Sequence, residues 1–493
     1  PEKNMGSNNW AIHGSRTDNG HPLLSNDPHL GLNLPSIWYM THLNCPTINV
    51  MGVTIPGTPG IIIGFNDSIS WGVTNGNDDV MDWYDISFKD NNRNEYLYDN
   101  NWLPIVKKIE QIHIKNEGVY IDTVSYTHHG PIVWDYNGQT PPIGSNNSKN
   151  NMVQTSSNRS LKWLAHDPSN ELKSFFLINK SANYNDFINA LNNYKCPGQN
   201  FIFADKKGDI GIIHSGGQPT KWFKQGIYIQ DGSNPAYEWG KPISHKHKPQ
   251  IKNPRSGYLS SANQHPTDET YPYFLSGDFW MSYRAIEINR NLDTLYKATI
   301  NDLKNIQLNN KSRLAQTVLP SLINILSDDT LHYRDSLLIN KLKNWNYEYS
   351  KSSVEATIFD VWLKEIETLT WHDDFGREDS IYLWPHINIL DDLIVNQPQS
   401  KWFDNSSTTK IEQLDDIVNS AFINTINYLT EKFGDMNNLW DWGNYRGTNI
   451  NHIANIPGLG VYDIRTDGGP EIINATGKTF GPSWRYNIEL SEK

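Results

Sequence analysis

The first part of the chain is a succession of short apolar runs broken by glycine, proline and Asn-Asp pairs. Ile48-Asn49-Val50-Met51-Gly52-Val53, Gly60-Ile61-Ile62-Ile63-Gly64-Phe65 and Ile69-Ser70-Trp71-Gly72-Val73 are each too short for a helix and are bounded by turn residues. They predict buried strands. The pattern continues through 112–114, 120–126 and 128–133, and the runs 201–205 and 209–213 read as a hairpin about Lys206-Lys207-Gly208. Strands that follow one another without intervening helices favour a largely antiparallel sheet. Two helical stretches interrupt them: 171–178, with Leu172, Phe175, Phe176 and Ile178 apolar, and 184–194. The stretch 138–151, rich in Asn, Ser, Gly and Pro, predicts a surface loop.

From Arg284 the period changes to that of helices. Ile288, Leu292, Leu295 and Tyr296 fall on one face, as do Val354, Ile358, Val361 and Trp362, and Leu414, Val418, Ala421 and Phe422. Ser353 is placed to cap the second of these helices. Residues 285–435 therefore read as a mainly helical region. The stretch 440–489 reads as strands returning to the core, with no internal repeat and no interdomain linker.

Composition narrows the function classes. The 493 residues are 37% hydrophobic and 19% charged, an ordinary globular balance. A net charge of -12 with no basic run disfavours nucleic acid and anionic membrane as partners. Eighteen Trp, 24 Tyr and 16 Phe suit a large core, an apolar ligand pocket or a glycan surface, and do not choose among them. Cys45 and Cys196 allow one disulfide at most, or two free thiols. Metal, nucleotide and hydrolase-elbow motifs such as H-E-x-x-H, G-x-x-x-x-G-K-[ST] and G-x-S-x-G are absent. No apolar run approaches the ~20 residues of a membrane span. The chain opens on Pro1-Glu2-Lys3, without a signal peptide, and is expected to be the later part of a longer precursor.

The chemistry centres on Gly6-Ser7-Asn8-Asn9-Trp10. A serine hydroxyl is a poor nucleophile without a base, and a free α-amine titrating near ~8 can serve as that base on the same residue. Gly-Ser alone is most often a turn. The longer run from Ser7 through Trp10-Ala11-Ile12-His13-Gly14-Ser15-Arg16-Thr17, followed by Pro22-Leu23-Leu24-Ser25-Asn26-Asp27-Pro28-His29-Leu30, resembles the start of the nucleophile-bearing subunit of the penicillin acylase family. So do Gly64-Phe65-Asn66-Asp67-Ser68-Ile69-Ser70-Trp71-Gly72-Val73-Thr74-Asn75, Gly257-Tyr258-Leu259-Ser260-Ser261-Ala262-Asn263-Gln264 with Trp280 and Arg284-Ala285 after it, Pro197-Gly198-Gln199-Asn200-Phe201, and Thr479-Phe480-Gly481-Pro482-Ser483-Trp484-Arg485. These motifs keep the family's order over nearly the whole chain, 290–435 matching least.

The resemblance implies an α+β fold, the four-layer αββα sandwich of N-terminal-nucleophile (Ntn) hydrolases with a mainly helical insertion. In chain order this divides into a spacer at 1–6, a first part of the core at 7–284, the helical region at 285–435 and returning strands at 436–493. It implies a serine amidohydrolase that frees Ser7 by cutting itself at Gly6-Ser7. The backbone N–H of Asn75 and the side-chain amide of Asn263 are then expected to form the oxyanion hole, with Arg284 orienting groups near the serine and His29 in a supporting role. Leu30, Ile63, Val73 and Asn77 fall on the acyl-pocket positions, and the aliphatic walls among them suit an apolar, flexible acyl chain as well as an aromatic one. Asp79, Asp82 and the carbonyl of Met81 match a segment that binds calcium, and carboxylates with carbonyls are what Ca²⁺ requires. The implied partner is an N-terminal α subunit cut from the same precursor, and the implied compartment is the bacterial periplasm. N-acyl-homoserine-lactone acylase activity is the alternative within this class. A non-catalytic acylase-fold binding protein, and a glycan-cleaving protein using paired carboxylates, are the alternatives outside it.

Overall fold

A computed structural model describes residues 6–134, 158–279, 281–326, 333–376 and 384–491. Most of the spacer at 1–6, the loop expected at 138–151 and Trp280 lie outside these residues.

Most of the predicted strands assemble into two facing antiparallel sheets, while those between 106 and 134 join a separate six-stranded sheet with Arg159–Trp163, Met81–Asp85 and Gln230–Asp231. The larger of the facing sheets has seven strands in the order Gln250–Lys252, Ile210–Ser215, Gln199–Asp205, Ile69–Asn75, Ile63–Asn66, Ile48–Thr54 and Tyr39–Cys45. The hairpin about 206–208 is in register, with Ala204 opposite Ile210. The smaller sheet places Gly6–Ile12 between Tyr258–Ser261 and Leu23–Gly31, and the far edge of Leu23–Gly31 takes both Phe480–Pro482 and Tyr486–Glu489. Of the stretch 440–489, read as strands, only these two return to the sheet that holds the first part of the chain: Trp442–Arg446 is a helix, and Thr448–His452 and Val461–Ile464 form a separate three-stranded sheet with Asn33–Leu34.

Between the sheets, Ala11, Leu24, Val53, Ile63, Ile202 and Ala204 form one buried cluster. The outer face of the larger sheet packs Trp71, Phe201 and Phe203 against Ile178, Phe187 and Leu191, from helices Glu171–Ile178 and Tyr184–Ala190 and the turn that follows. The outer face of the smaller sheet packs Trp10, Ile12 and Leu23 against Ile288, Leu292, Leu303 and Ile306, from helices Tyr283–Thr294 and Ile300–Gln307. The result is four layers, αββα.

Helices Val354–Phe375 and Leu414–Phe433 bury the faces predicted for them, including Trp362 and Phe422. The Ser353 hydroxyl accepts the N–H of Ala356 as the cap of the first. Two expectations are corrected. Tyr296 is 73% exposed, because helix Tyr283–Thr294 ends before it and the 3.6-residue period no longer applies. His128 and His129 form a turn, and the strand begins at Gly130. Both cysteines are free thiols, and no helix among the described residues is long and apolar enough to cross a membrane.

Candidate active site

Strand Gly6–Ile12 presents alternate residues to opposite faces. Trp10 and Ile12 join the helical layer, whereas Ala11 lies between the sheets and Asn9 reaches the Asn200 carbonyl at 3.3 Å. Ser7 shares the inner face with Asn9 and Ala11 and is buried.

Ser7 is held on every polar atom. Its N–H donates to Asn263 Oδ1 at 2.7 Å, and its hydroxyl donates to the carbonyl oxygen of Gly6 at 2.6 Å. Arg284, at the start of helix Tyr283–Thr294, is fully buried. Its Nη1 donates to the Ser7 carbonyl at 2.9 Å and to Asn8 Oδ1 at 2.7 Å, while Nη2 donates to Asn263 Oδ1 at 3.0 Å. A guanidinium only donates. Arg284 and the Ser7 N–H therefore fix the oxygen end of Asn263 and turn its Nδ2 to the Asn75 carbonyl, 2.8 Å away. One N–H of that amide is used there, and the other is the donor available to a developing negative charge. Asn263 itself sits at φ 68°, a left-handed conformation that Asn tolerates better than most residues. Burial pushes the Arg284 guanidinium down to about 10, with Glu471 and Asp27 pulling it back up.

Asn75 is thus beside Asn263, but the contact runs through its carbonyl, whereas the sequence reading assigns the role to its N–H. His29 is buried on strand Leu23–Gly31, opposite Gly6. Its Nε2 lies 3.1 Å from Asp27 Oδ2 and 3.4 Å from Asn8 Nδ2, one residue along from Ser7. Burial lowers its pKa against the opposing pull of Asp27, which keeps the imidazole neutral. Of the acyl-pocket positions, Ile63 is wholly buried among Leu24, Val53 and Ile202 between the sheets, while Leu30, Val73 and Asn77 are half-buried. Two polar surface cavities, of about 380 and 280 Å³, lie elsewhere and touch neither Ser7 nor these four residues.

The acidic segment has an unexpected occupant. Lys221 Nζ stands 2.8 Å from Asp79 Oδ2 and 3.0 Å from Asp82 Oδ2, with its side chain only 2% exposed. The indole N–H of Trp239 also donates to Asp82 Oδ2, and the ammonium lies 5.3 Å from the centre of that ring. The two carboxylates share one fixed cation of the chain itself. With Lys221 in place the set does not fit a calcium ion, which needs six to eight oxygens and would meet an ammonium at contact distance. Met81, the third residue of the expected site, is exposed on strand Met81–Asp85.

Sequence reading assigned no role to four supports of the site. Asn26 Nδ2 donates to the carbonyls of Asn8 at 2.9 Å and Val73 at 3.0 Å, and its Oδ1 accepts the Val73 N–H at 3.1 Å, joining the two sheets beside Ser7. Gly72 makes room for it, since a β-carbon there would lie 2.8 Å from the Asn26 side chain. His214 lies between Asn200 Oδ1 and Asp78 Oδ1, 2.7 Å from each. Asn200 Nδ2 donates to Thr74 Oγ1 and to the Asn75 carbonyl, so the network ends on the same oxygen that holds Asn263. The signal in the sequence was the run of polar residues, Asn8, Asn9 and Asn26, inside otherwise apolar strands. Polar groups buried there need partners.

The penicillin amidase family model matches residues 1–493. The chain is 24% identical over 465 residues to the acyl-homoserine lactone acylase QuiP of Pseudomonas aeruginosa, covering 89% of this chain and 53% of the relative. It is also 24% identical over 288 residues to the penicillin acylase 2 proenzyme of a Pseudomonas species, covering 58% and 35%. The chain thus spans about half or less of the length of these relatives. Among solved structures it is similar to a thermostable penicillin G acylase from Alcaligenes faecalis, with a TM-score of 0.72, 18% identity, and coverage of 94% of this chain and 86% of that one. That likeness identifies the fold as the Ntn-hydrolase sandwich.

Proposed function

The chain belongs to the penicillin amidase family, and on that footing we propose that it is the nucleophile-bearing part of a serine N-terminal-nucleophile amidohydrolase. In this reading Ser7 Oγ first attacks the Gly6 carbonyl carbon. The C–N bond breaks, Gly6 is left as an ester on Oγ, and the Ser7 nitrogen becomes a free amine. Water hydrolyses the ester. The freed amine then accepts the Oγ proton, through water, as Oγ attacks the carbonyl of an N-acyl substrate. The tetrahedral oxyanion is met by the Asn263 amide and the backbone of Asn75. The amine leaving group departs with a proton, and a second water hydrolyses the acyl-enzyme.

The observation that supports this reading most is the placement of both Ser7 atoms on the groups such a step uses. The hydroxyl lies 2.6 Å from the oxygen of the bond to be cut, and the nitrogen to be freed donates to Asn263 at 2.7 Å. The substrate we infer is an N-acyl compound with an apolar acyl group. The aliphatic residues Leu30, Ile63 and Val73 favour a penicillin-type side chain no more than the chain of an acyl-homoserine lactone, the substrate class named for one relative.

The partner we infer is an N-terminal α subunit from the same precursor. The length of the relatives and the proenzyme name of one of them support it. So does the hairpin of Val106–Ile114 and Gly118–Thr127, which leaves Val106, Ile109, Ile112, Val119 and Ile121 exposed. The periplasm remains the compartment that the family resemblance suggests.

Intact mass and N-terminal sequencing of the full-length protein, beside Ser7→Ala, test the reading. A mature chain beginning at Ser7 in the wild type, with the variant whole, supports it. If both stay whole, Ser7 is not a self-cleaving nucleophile. A panel of phenylacetyl, linear-acyl and homoserine-lactone amides then separates the substrate classes.

A further inference from the structure

Far from Ser7 in sequence, the turn between strands Gly118–Thr127 and Gly130–Trp134 carries two adjacent histidines. Both point at one carboxylate oxygen. His128 Nε2 lies 2.9 Å and His129 Nδ1 3.1 Å from Glu238 Oε1. The rings are 3.8 Å apart, and the three possible ligand atoms all lie within 4.8 Å of one another.

The hydrogen bonds around the cluster decide which nitrogens are free to bind. His129 Nε2 is 3.1 Å from the Gly232 carbonyl, an acceptor only, so Nε2 carries the proton of the neutral ring. That leaves Nδ1 as a lone pair. It is buried, it has no hydrogen-bond partner, and its polar neighbour is a carboxylate oxygen, another acceptor. In the neutral state this pair of acceptors lacks the cation that would join them. The Tyr96 hydroxyl, 2.8 Å from His128 Nδ1, can donate or accept and so supports either tautomer of that ring. Lys162 Nζ holds the other carboxylate oxygen, Oε2, at 2.6 Å and leaves Oε1 facing the histidines. The His129 ring stacks on Tyr84 at 3.9 Å, which fixes its plane.

We propose that His128, His129 and Glu238 bind a zinc-class divalent metal ion through His128 Nε2, His129 Nδ1 and Glu238 Oε1. Two imidazoles and a carboxylate suit zinc and its first-row neighbours, whereas calcium takes oxygen ligands. The pattern outside the ligands is also that of a metal site: one histidine donates its second N–H to a backbone carbonyl, and the carboxylate is oriented by a further hydrogen bond. The His128 side chain is 32% exposed, which gives an ion access from solvent and a water as fourth ligand. Such an ion would clip the 127–130 turn to the 232–238 segment.

The site is tested on the purified chain, in its mature complex if one forms, after chelation and dialysis. Zn²⁺ is titrated by calorimetry, and Co²⁺ is followed by its visible absorption. The expected result is one equivalent of either ion, an intense tetrahedral cobalt band, and a rise in Tm with Zn²⁺ but not with Ca²⁺. His128→Ala, at an accessible position, and Glu238→Gln should each weaken binding by at least about tenfold. Absence of stoichiometric binding by the wild type, or equal binding by both variants, would overturn the assignment and leave the cluster as a protonated histidine–glutamate ion pair.

Discussion

A β-carbon on Gly6 would lie 2.7 Å from Nη2 of Arg284, and the same carbon would lie 2.8 Å from Asn263 Oδ1. Neither neighbour can move aside cheaply. Arg284 is buried and is committed to Ser7, Asn8 and Asn263. The residue before the serine is therefore glycine for a reason of space at the bond that the proposed reaction cuts. Gly6→Ala is expected to destabilise the uncut chain by about 1–3 kcal/mol through overpacking and to slow processing. Mass spectrometry of the precursor over time checks the second effect, and unchanged processing would remove the steric argument.

Asn263 has separable ends. Asn263→Asp keeps an acceptor for Ser7 and Arg284 but loses the donor that faces Asn75. If the amide serves as an oxyanion donor, kcat on an N-acyl amide should fall by roughly 10²–10³, with KM changed far less. A drop confined to KM would make Asn263 a substrate-binding residue instead.

Lys221 bridges Asp79 and Asp82, so the wild-type Tm is expected to be insensitive to chelation of calcium. Lys221→Met leaves two carboxylates without their cation and should cost about 3–5 kcal/mol. Added Ca²⁺ is expected to restore part of that loss in the variant and none in the wild type, as read by thermal unfolding. A wild-type Tm that falls in EGTA and is restored by Ca²⁺ but not by Zn²⁺ would show that the lysine does not do the work of a metal.

His29 makes stability depend on pH. Its pKa in the folded chain lies below the ordinary 6.5, chiefly from burial. Above 6.5 neither state binds the proton. As the pH falls below 6.5 the unfolded chain takes it up first, so stability is lost toward acid, by at most about 1.4 kcal/mol per pH unit. His29→Gln, which cannot titrate, should flatten that part of the stability profile between pH 6.5 and 5. Parallel profiles for the two proteins would assign the acid sensitivity elsewhere.

Much of the framework was legible before any coordinates. Short bounded apolar runs marked strands 48–54 and 69–75, and the change of period after Arg284 marked the long helices, because both signals are local and repeat within a few residues. The motifs around Ser7, Asn75, Asn263 and Arg284 pointed to residues that do meet. Tyr296 failed because periodicity says nothing about where a helix stops, and the acidic 79–82 segment reads the same whether its counter-ion is a metal or a lysine.

The sequence by itself determined most of the strands and the long helices, their order along the chain, and that a serine with a glycine before it lies at the start of the core. Tertiary structure alone decided the partners. Ser7 and Asn263 are separated by 256 positions, Lys221 and Asp79 by 142, and His128 and Glu238 by 110. Nothing in a local pattern selects such pairs. They follow from the stacking of two sheets and the return of distant loops, which removes water from polar groups and leaves each of them to be satisfied by whatever the packing brings within about 3 Å.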